Sequence, residues 1–336
     1  MGEYVPIPKF DDPGFALLQV IGLSVALGQL VMVLRLLRRL HECPNAGKSL
    51  LLLLCGVNLC SCLLQTSKSA SMITYRYDHI SVVDMMTFAL APPTFGGVMI
   101  LQLDIRIVFD SLFPSGFCGT CGWSSKVKAR ARILIIALHV CLSLPDYLRI
   151  FGFVATIHWQ TSSTALQALL ISLSSFIQAY LITTWLSKHL GFDTTSPNTR
   201  ARYIAVVALL ILTFVIDLGG IAAYVTSVYL YLQGTQPTFF LSRRVGQFAI
   251  ICIGIEVITE SVTLLNMLHL VCEKQLKSSV ATESPDNIDS SEDFPTSIAI
   301  PGPPPGSLIT TSSPLEMDHL GSQVNSMAFN LIRDNE

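Results

Sequence analysis

Residues 203–230 read YIAVVALLILTFVIDLGGIAAYVTSVYL, a run in which Asp217 is the single charged side chain. A helix needs about 20 apolar residues to cross the hydrocarbon core of a bilayer. This run is long enough to do so, and it decides the class of fold. The rest of the chain agrees, because 51% of its 336 residues are hydrophobic and only 13% are charged. Soluble domains carry about 25% charged residues.

Six further runs between charged residues predict membrane-spanning helices on either side of this one. They cover residues 13–34, 49–67, 85–103, 133–153, 163–186 and 245–272. The fourth span is the most interrupted, since it contains Pro145, Asp146 and Arg149. We therefore expect an all-α membrane protein. A seven-transmembrane helix bundle would occupy residues 14–272, after a short extracellular segment at residues 1–13.

The distribution of basic residues predicts the orientation of this bundle. With seven spans, one set of loops and helix ends contains fourteen lysines and arginines, and the opposite set contains six. Basic residues are retained on the cytoplasmic side of a membrane. The N-terminus is therefore predicted outside and the C-terminus inside. The bias also supports the fourth span, since its loss would break the alternation of the loops.

The composition changes sharply after Cys272. Residues 273–336 are rich in Ser, Thr, Pro and acidic residues, and they include PGPPPG at 301–306. Such a segment buries too little apolar surface to offset the entropy lost on ordering. It is predicted to be a disordered cytoplasmic tail.

Four carboxylates fall within the predicted spans: Asp146, Asp217, Glu256 and Glu260. A charged side chain at the bilayer centre costs at least about 2.5–3.5 kcal/mol on insertion scales, so such residues tend to be functional. A rise of about 1.5 Å per residue brings Asp217 and Glu256 to a similar depth, with Asp146 nearby. Glu256 and Glu260, four residues apart, share one helix face. We expect these four to form a ligand-binding site for a cation, for sodium or for a proton. The alternative is that protonated glutamates only hydrogen-bond the helices together.

Three cysteines are predicted to lie close to the inner membrane surface. Cys118 and Cys121 form a C-x-x-C pair in the second inner loop, and Cys272 ends the seventh span. One such pair is half of a zinc site and no second pair follows, so lipidation is the preferred interpretation. The histidines are scattered along the chain, not grouped as a zinc hydrolase requires. We therefore expect no catalytic residue, metal or cofactor, and no enzymatic activity.

Seven spans, an outer N-terminus, basic inner loops and a Ser/Thr-rich tail resemble a G-protein-coupled receptor in topology. Asp104-Ile105-Arg106 stands at the inner end of the third span, where rhodopsin-type receptors carry an acid–Arg–aromatic triplet. The sixth span lacks Cys-Trp-x-Pro and the seventh lacks Asn-Pro-x-x-Tyr. The resemblance is therefore to divergent receptors, such as the fungal or protist classes. Residues 102–109, QLDIRIVF, are similar to the third helix of fungal pheromone receptors.

This resemblance implies a protein of the plasma membrane that senses an extracellular ligand and signals to a heterotrimeric G protein. Its lipid surroundings are the other expected partner, and nucleic acid is not expected. The surface facing the G protein would contain Asp104, Arg106, Arg130, Arg132, Lys188, Arg200 and Arg202. Two alternatives remain open. One is an ion- or proton-coupled transporter that uses the intramembrane carboxylates, and the other is a membrane scaffold.

Overall fold

The computed structural model describes residues 13–42, 48–74, 82–113, 122–151, 157–189, 197–233 and 235–282. The regular secondary structure of these ranges is helical. The helices are α1 (Pro13–Glu42), α2 (Lys48–Thr74), α3 (Val82–Leu112), α4 (Ser125–Leu142), α5 (Leu144–Ile150), α6 (Ile157–His189), α7 (Pro197–Leu232) and α8 (Gln236–Thr282). Six of them, α1, α2, α3, α6, α7 and α8, are long and apolar enough to cross a membrane. The prediction of an all-helical, multi-pass membrane protein is confirmed.

The helices are longer than the spans predicted from the sequence. α1 continues beyond residue 34 to Glu42, and α8 continues beyond residue 272 to Thr282. A helix satisfies its backbone hydrogen bonds within its own segment, so it can continue past the edge of the hydrocarbon core. The first ten residues of the predicted disordered tail are therefore helical. Residues 283–336 lie outside the described residues.

The fourth predicted span consists of two short helices, α4 and α5, separated by Ser143. Pro145 has no backbone N–H to donate to the carbonyl of Cys141, and this loss interrupts the helix. Helical hydrogen bonds continue across the junction, since Ser143 N–H donates to His139 O over 2.9 Å and Tyr147 N–H donates to Ser143 O over 3.1 Å. α4 is not among the six long apolar helices. Four basic residues in its first two turns are the reason: Lys126, Lys128, Arg130 and Arg132.

Contacts between side chains determine the directions of the helices. α1, α3, α6 and α8 run in one direction, and α2, α4 and α7 run in the other. The contacts that establish this are Gly22 with Gln247, Gln29 with Gly254, Asn58 with Ser261, Gln65 with Ile250, Gln102 with Glu256, Arg106 with Ser174, Phe113 with Trp185, Asp104 with Arg132, Met99 with His139, Thr213 with Thr259, and Ser227 with Ser242.

The two ends of the bundle can be named by residues that lie near them. The Trp185 end is where α1, α3, α6 and α8 finish, and the Lys68 end is the opposite one. The apolar core is concentrated toward the Trp185 end, where Phe109, Phe113, Trp185 and Tyr203 form an aromatic cluster. The ring centroids of Phe113 and Trp185 are 4.1 Å apart, and those of Phe109 and Trp185 are 5.5 Å apart. Buried aliphatic side chains surround this cluster: Leu36, Leu54, Leu101, Ile105, Ile182, Leu186, Leu210, Leu264 and Met267.

Glycines allow the helices to approach closely at two positions. A Cβ atom added to Gly97 of α3 would lie 2.5 Å from a methyl carbon of Val57 in α2. A Cβ at Gly254 of α8 would lie 2.6 Å from a methyl carbon of Val25 in α1. Small residues permit such close packing in membrane bundles. These contacts hold α8 against α1 and α3 against α2.

Candidate functional site

A cavity of about 200 Å³ lies between α2, α3, α6, α7 and α8. It extends from Lys68, Ser227 and Gly246, near the Lys68 end, to Asp217 and Glu256. Residues 246 and 256 of α8 are separated by about 15 Å along the helix axis. The wall between is mostly apolar and includes Phe95, Ile171, Ile221, Tyr224, Ile250 and Ile253. Two of the four predicted ligand-binding carboxylates therefore line one cavity.

The pairing of α7 with α8 brings Asp217 and Glu256 together. Thr213 and Thr259 fix the register through a hydroxyl–hydroxyl hydrogen bond of 2.8 Å. Both carboxyl groups are buried, and they lie within hydrogen-bonding distance of each other. The Ser175 hydroxyl of α6 also donates to Asp217. Since a hydrogen bond between two carboxyl groups needs one proton, the pair carries at most one negative charge.

Asp217 also presents an oxygen that is available to a ligand. Its Oδ2 atom is buried and accepts no hydrogen bond from an amide, hydroxyl or basic side chain among the described residues. A buried polar atom without a partner costs roughly 1–3 kcal/mol. The cavity beside this oxygen is therefore a place where a donor group would be stabilised.

Glu260 lies one turn further along α8, where it is fully buried. Gln178 Nε2 of α6 donates to Glu260 Oε2 over 3.2 Å. The guanidinium group of Arg106 contacts Ser174 Oγ of α6 and lies within electrostatic range of Glu260. Gln102 Nε2 of α3 donates to Glu256 Oε1 over 3.2 Å. These side chains extend the acidic site into a polar layer that joins α3, α6, α7 and α8.

Within this layer, Arg106 is the residue whose position differs most from the prediction. The sequence placed it among the residues facing a G protein, but its side chain points into the bundle toward α6 and α8. Arg106 stands near the inner end of its span, so a cation close to Glu260 was not predicted from the sequence. An arginine side chain is long enough to reach a turn or more from its own Cα atom. The direction in which the Arg106 side chain projects from α3 therefore decides which residues it contacts.

Asp104 also lies inside the bundle. Its Oδ1 atom accepts hydrogen bonds from Arg132 Nη2 at 2.6 Å and from Arg132 Nε at 3.1 Å. The Asp104 side chain is 3% exposed and that of Arg132 is 29% exposed. Hydrogen bonds between charged groups are among the strongest in proteins, and this one holds α4 against α3.

The other predicted residues are distributed as follows. Arg130 and Arg200 are exposed, and Arg202 is half-buried. The side chains of Asp146, Lys188 and Cys272 lie outside the described part of the structure, and so do Cys118 and Cys121. The roles of these residues remain predictions.

Sequence reasoning did not single out the hydroxyl groups that complete the layer. Ser174, Ser175, Thr213 and Thr259 all lie in long apolar runs. A serine or threonine there gives no distinctive signal, because its hydroxyl often bonds to its own helix backbone. Their burial next to charged groups becomes visible only in the folded bundle. Among the described residues, no group of three or more His, Cys, Asp or Glu side chains could hold a metal ion.

These features define a multi-pass helical membrane protein with an acidic cavity inside its bundle. Comparison with protein-family models and with curated proteins finds no match to this chain. A fold alone does not define a function, so the cavity, the polar layer and the helix arrangement are the features that bear on it.

Proposed function

We propose that this chain is a seven-span receptor of the G-protein-coupled type, which binds a small cationic ligand from outside the cell. The observation that carries the proposal is the cavity, which reaches Asp217 and Glu256 from the Lys68 end. The packed core beyond it separates the ligand from the Trp185 end. A ligand could thus act across the membrane without passing through the protein.

The directions of the helices support a seventh crossing. α3 and α6 are both long apolar helices and run in the same direction, so the chain must return across the membrane between them. α4 runs antiparallel to α3, and the stretch from Ser125 to Ile150 is about 39 Å long at 1.5 Å per residue. Apolar side chains of α4 are exposed on the surface of the bundle, where lipid would cover them: Ile133, Leu134, Ile136 and Val140.

Seven crossings put the two ends of the chain on opposite sides of the membrane. The excess of basic residues then places the Trp185 end in the cytoplasm. Arg130 and Arg200 are exposed near that end, where a G protein would bind. Asp104 and Arg106 take a different role in this proposal, since they hold α3 against α4, α6 and α8.

The chemistry of the cavity favours a small organic ammonium ion as the ligand. An ammonium group could donate to the free Oδ2 of Asp217 and to Glu256, and so replace the proton that these carboxyl groups share. The apolar wall would contact a hydrocarbon or aromatic body. About 200 Å³ is less than the 300–1,000 Å³ typical of drug-sized sites. The ligand is therefore expected to be small.

The polar layer supplies a route from the ligand to the cytoplasmic half. Glu256 contacts Gln102, which lies one helical turn before Arg106 on α3. A ligand that separates Asp217 from Glu256 would change the contacts between α7 and α8. Because Gln102 bonds to Glu256, it would also change the contact between α8 and α3. Ligand binding shifts a conformational equilibrium only through such differences in contacts.

The test is G-protein activation in cells that express the full chain with a panel of G proteins. Small amines, such as phenethylamine, are compared with alcohols of the same skeleton. Amines should activate and the matched alcohols should not. Arg106→Ala should reduce signalling at equal surface expression. If no ligand in the panel yields coupling, or if Arg106→Ala signals as well as wild type, the receptor mechanism is wrong.

A proton-coupled transporter is the second candidate. The observation in its favour is the proton shared by Asp217 and Glu256, with Glu260 one turn away. Flux of protons in reconstituted vesicles, abolished by Glu256→Gln, would support transport. Vesicles that show no flux under any gradient would exclude it.

A further inference from the structure

A groove of about 430 Å³ lies between α1 and α8 on the surface of the bundle. Ser24, Gly28, Val31 and Arg35 of α1 form one wall, and Ile258 and Val262 of α8 contribute to the other. The groove shares no lining residue with the ligand cavity. The groove is therefore separate from the proposed receptor site.

The length of the groove matches one leaflet of a bilayer. Its α1 residues recur at intervals of three or four, so they form one stripe along the helix. From Ser24 to Arg35 the stripe is about 16 Å long, which is about half of a 30 Å hydrocarbon core. The stripe ends at Arg35, toward the Trp185 end, where the apolar part of α1 gives way to basic residues.

The groove offers an apolar surface with one cationic end. The Ser24 hydroxyl donates to the carbonyl of Val20 over 2.7 Å, so it needs no partner from outside the helix. Arg35 is exposed, and no carboxylate among the described residues pairs with it. Basic pockets between transmembrane helices near a membrane surface are suited to anionic lipid headgroups.

We propose that this groove binds one anionic phospholipid, with an acyl chain along α1 and α8 and the phosphate at Arg35. A second copy of the chain fits less well. Two copies related by a two-fold axis present the same patch to each other. Their Arg35 side chains would then approach each other, and like charges at close range repel.

Two substitutions test the groove directly, each with a matched control. Arg35→Gln removes the cation, and Arg130→Gln removes another exposed arginine, on α4. Gly28→Leu fills the groove, since a Cβ at Gly28 meets only the tip of Ile258, at 3.5 Å. Gly56→Leu is its control, because Gly56 is exposed on α2 and a Cβ there meets nothing within 4 Å.

The measurement is native mass spectrometry of the purified full chain with phosphatidylserine or phosphatidylcholine of identical acyl chains. Wild type should bind one phosphatidylserine about fivefold more tightly than phosphatidylcholine, because Arg35 adds one cationic contact to the anionic headgroup. Arg35→Gln should abolish this preference. Gly28→Leu should weaken the binding of both lipids, and both controls should behave as wild type. Thermal unfolding of each variant establishes that it is folded.

Three outcomes would overturn the proposal. The first is equal retention of the two lipids by wild type. The second is a preference for phosphatidylserine that survives Arg35→Gln. The third is a lipid-free dimer that Gly28→Leu dissociates and Gly56→Leu does not, which would identify the groove as a contact between copies of the chain.

Discussion

The two halves of the bundle differ in the way they use their interior. The half toward the Lys68 end contains a cavity, with paired carboxyl groups where it meets the polar layer. The half toward the Trp185 end is filled by aliphatic and aromatic side chains. Packed interiors resist gradual deformation, so they tend to move between discrete arrangements. The cavity is thus suited to binding, and the packed half to transmitting a change as a rigid unit.

Trp185→Ala tests the packed half and should have the largest effect. Truncating a buried aromatic side chain costs about 3–5 kcal/mol, from lost burial and the cavity that remains. The melting temperature of the purified protein in detergent should fall accordingly. Trp159→Ala is the control, since Trp159 is 47% exposed and should change stability little. A similar loss for both variants would mean that the two halves are not packed differently.

Asp217→Asn tests the cavity half. Removing one partner of a buried charge pair costs about 2–5 kcal/mol of binding free energy, which corresponds to at least a 30-fold loss of amine affinity. Stability should change much less than in Trp185→Ala, because no volume is lost. Isothermal titration with phenethylamine measures the affinity. The control is Cys252→Ser, since Cys252 lines the same cavity and is not a carboxylate. This variant should bind the amine with normal affinity. Unchanged binding by Asp217→Asn would remove this carboxylate from the site.

Arg132→Met tests the connection between α3 and α4. It leaves Asp104 buried without its charged partner, which should cost about 1.5–3 kcal/mol of stability. Chemical unfolding in detergent would detect the change. The double variant Asp104→Asn/Arg132→Met should recover part of the loss, because the buried charge is removed as well. Additive losses in the double variant would show that the two side chains do not act as a pair.

The pH dependence of amine binding should show the smallest effect. If an ammonium ion displaces the proton shared by Asp217 and Glu256, each binding event releases one proton. Affinity should then rise with pH, by at most about tenfold per unit, as long as the pH stays well below the amine's own pKa of about 10. Glu260, Arg106 and Cys252 are the other titratable groups around the pair. The slope should disappear in Glu256→Gln. A slope that remains in this variant would assign the released proton to one of these other groups.

Several features of the fold could be predicted from the sequence. The six long apolar helices were predicted because a membrane span is marked by a lack of charge, which is a local property. The similar depth of Asp217 and Glu256 followed from counting residues along two helices. The fourth span was predicted as one helix, and the structure divides it at Ser143. Pro145 was the visible signal for that division.

The cavity beside Asp217 illustrates where prediction from sequence stops. Glu256 and Glu260 could be placed on one helix face, yet only Glu256 lines the cavity together with Asp217. Glu260 instead accepts a hydrogen bond from Gln178 and lies within electrostatic range of Arg106. These differences depend on the rotation of α8 against its neighbours. The helical period of about 3.6 residues does not reveal that rotation when both faces of a helix are apolar.

The sequence by itself determined that this chain is a multi-pass helical membrane protein with carboxylates deep inside its spans. It could do so because the cost of placing a charge in lipid depends on one residue and its depth. Only the tertiary structure decided that Asp217 meets Glu256 and that Arg106 turns inward toward Glu260. The rotation and register of helices come from packing against neighbours, through contacts such as Gly97 with Val57 and Gly254 with Val25.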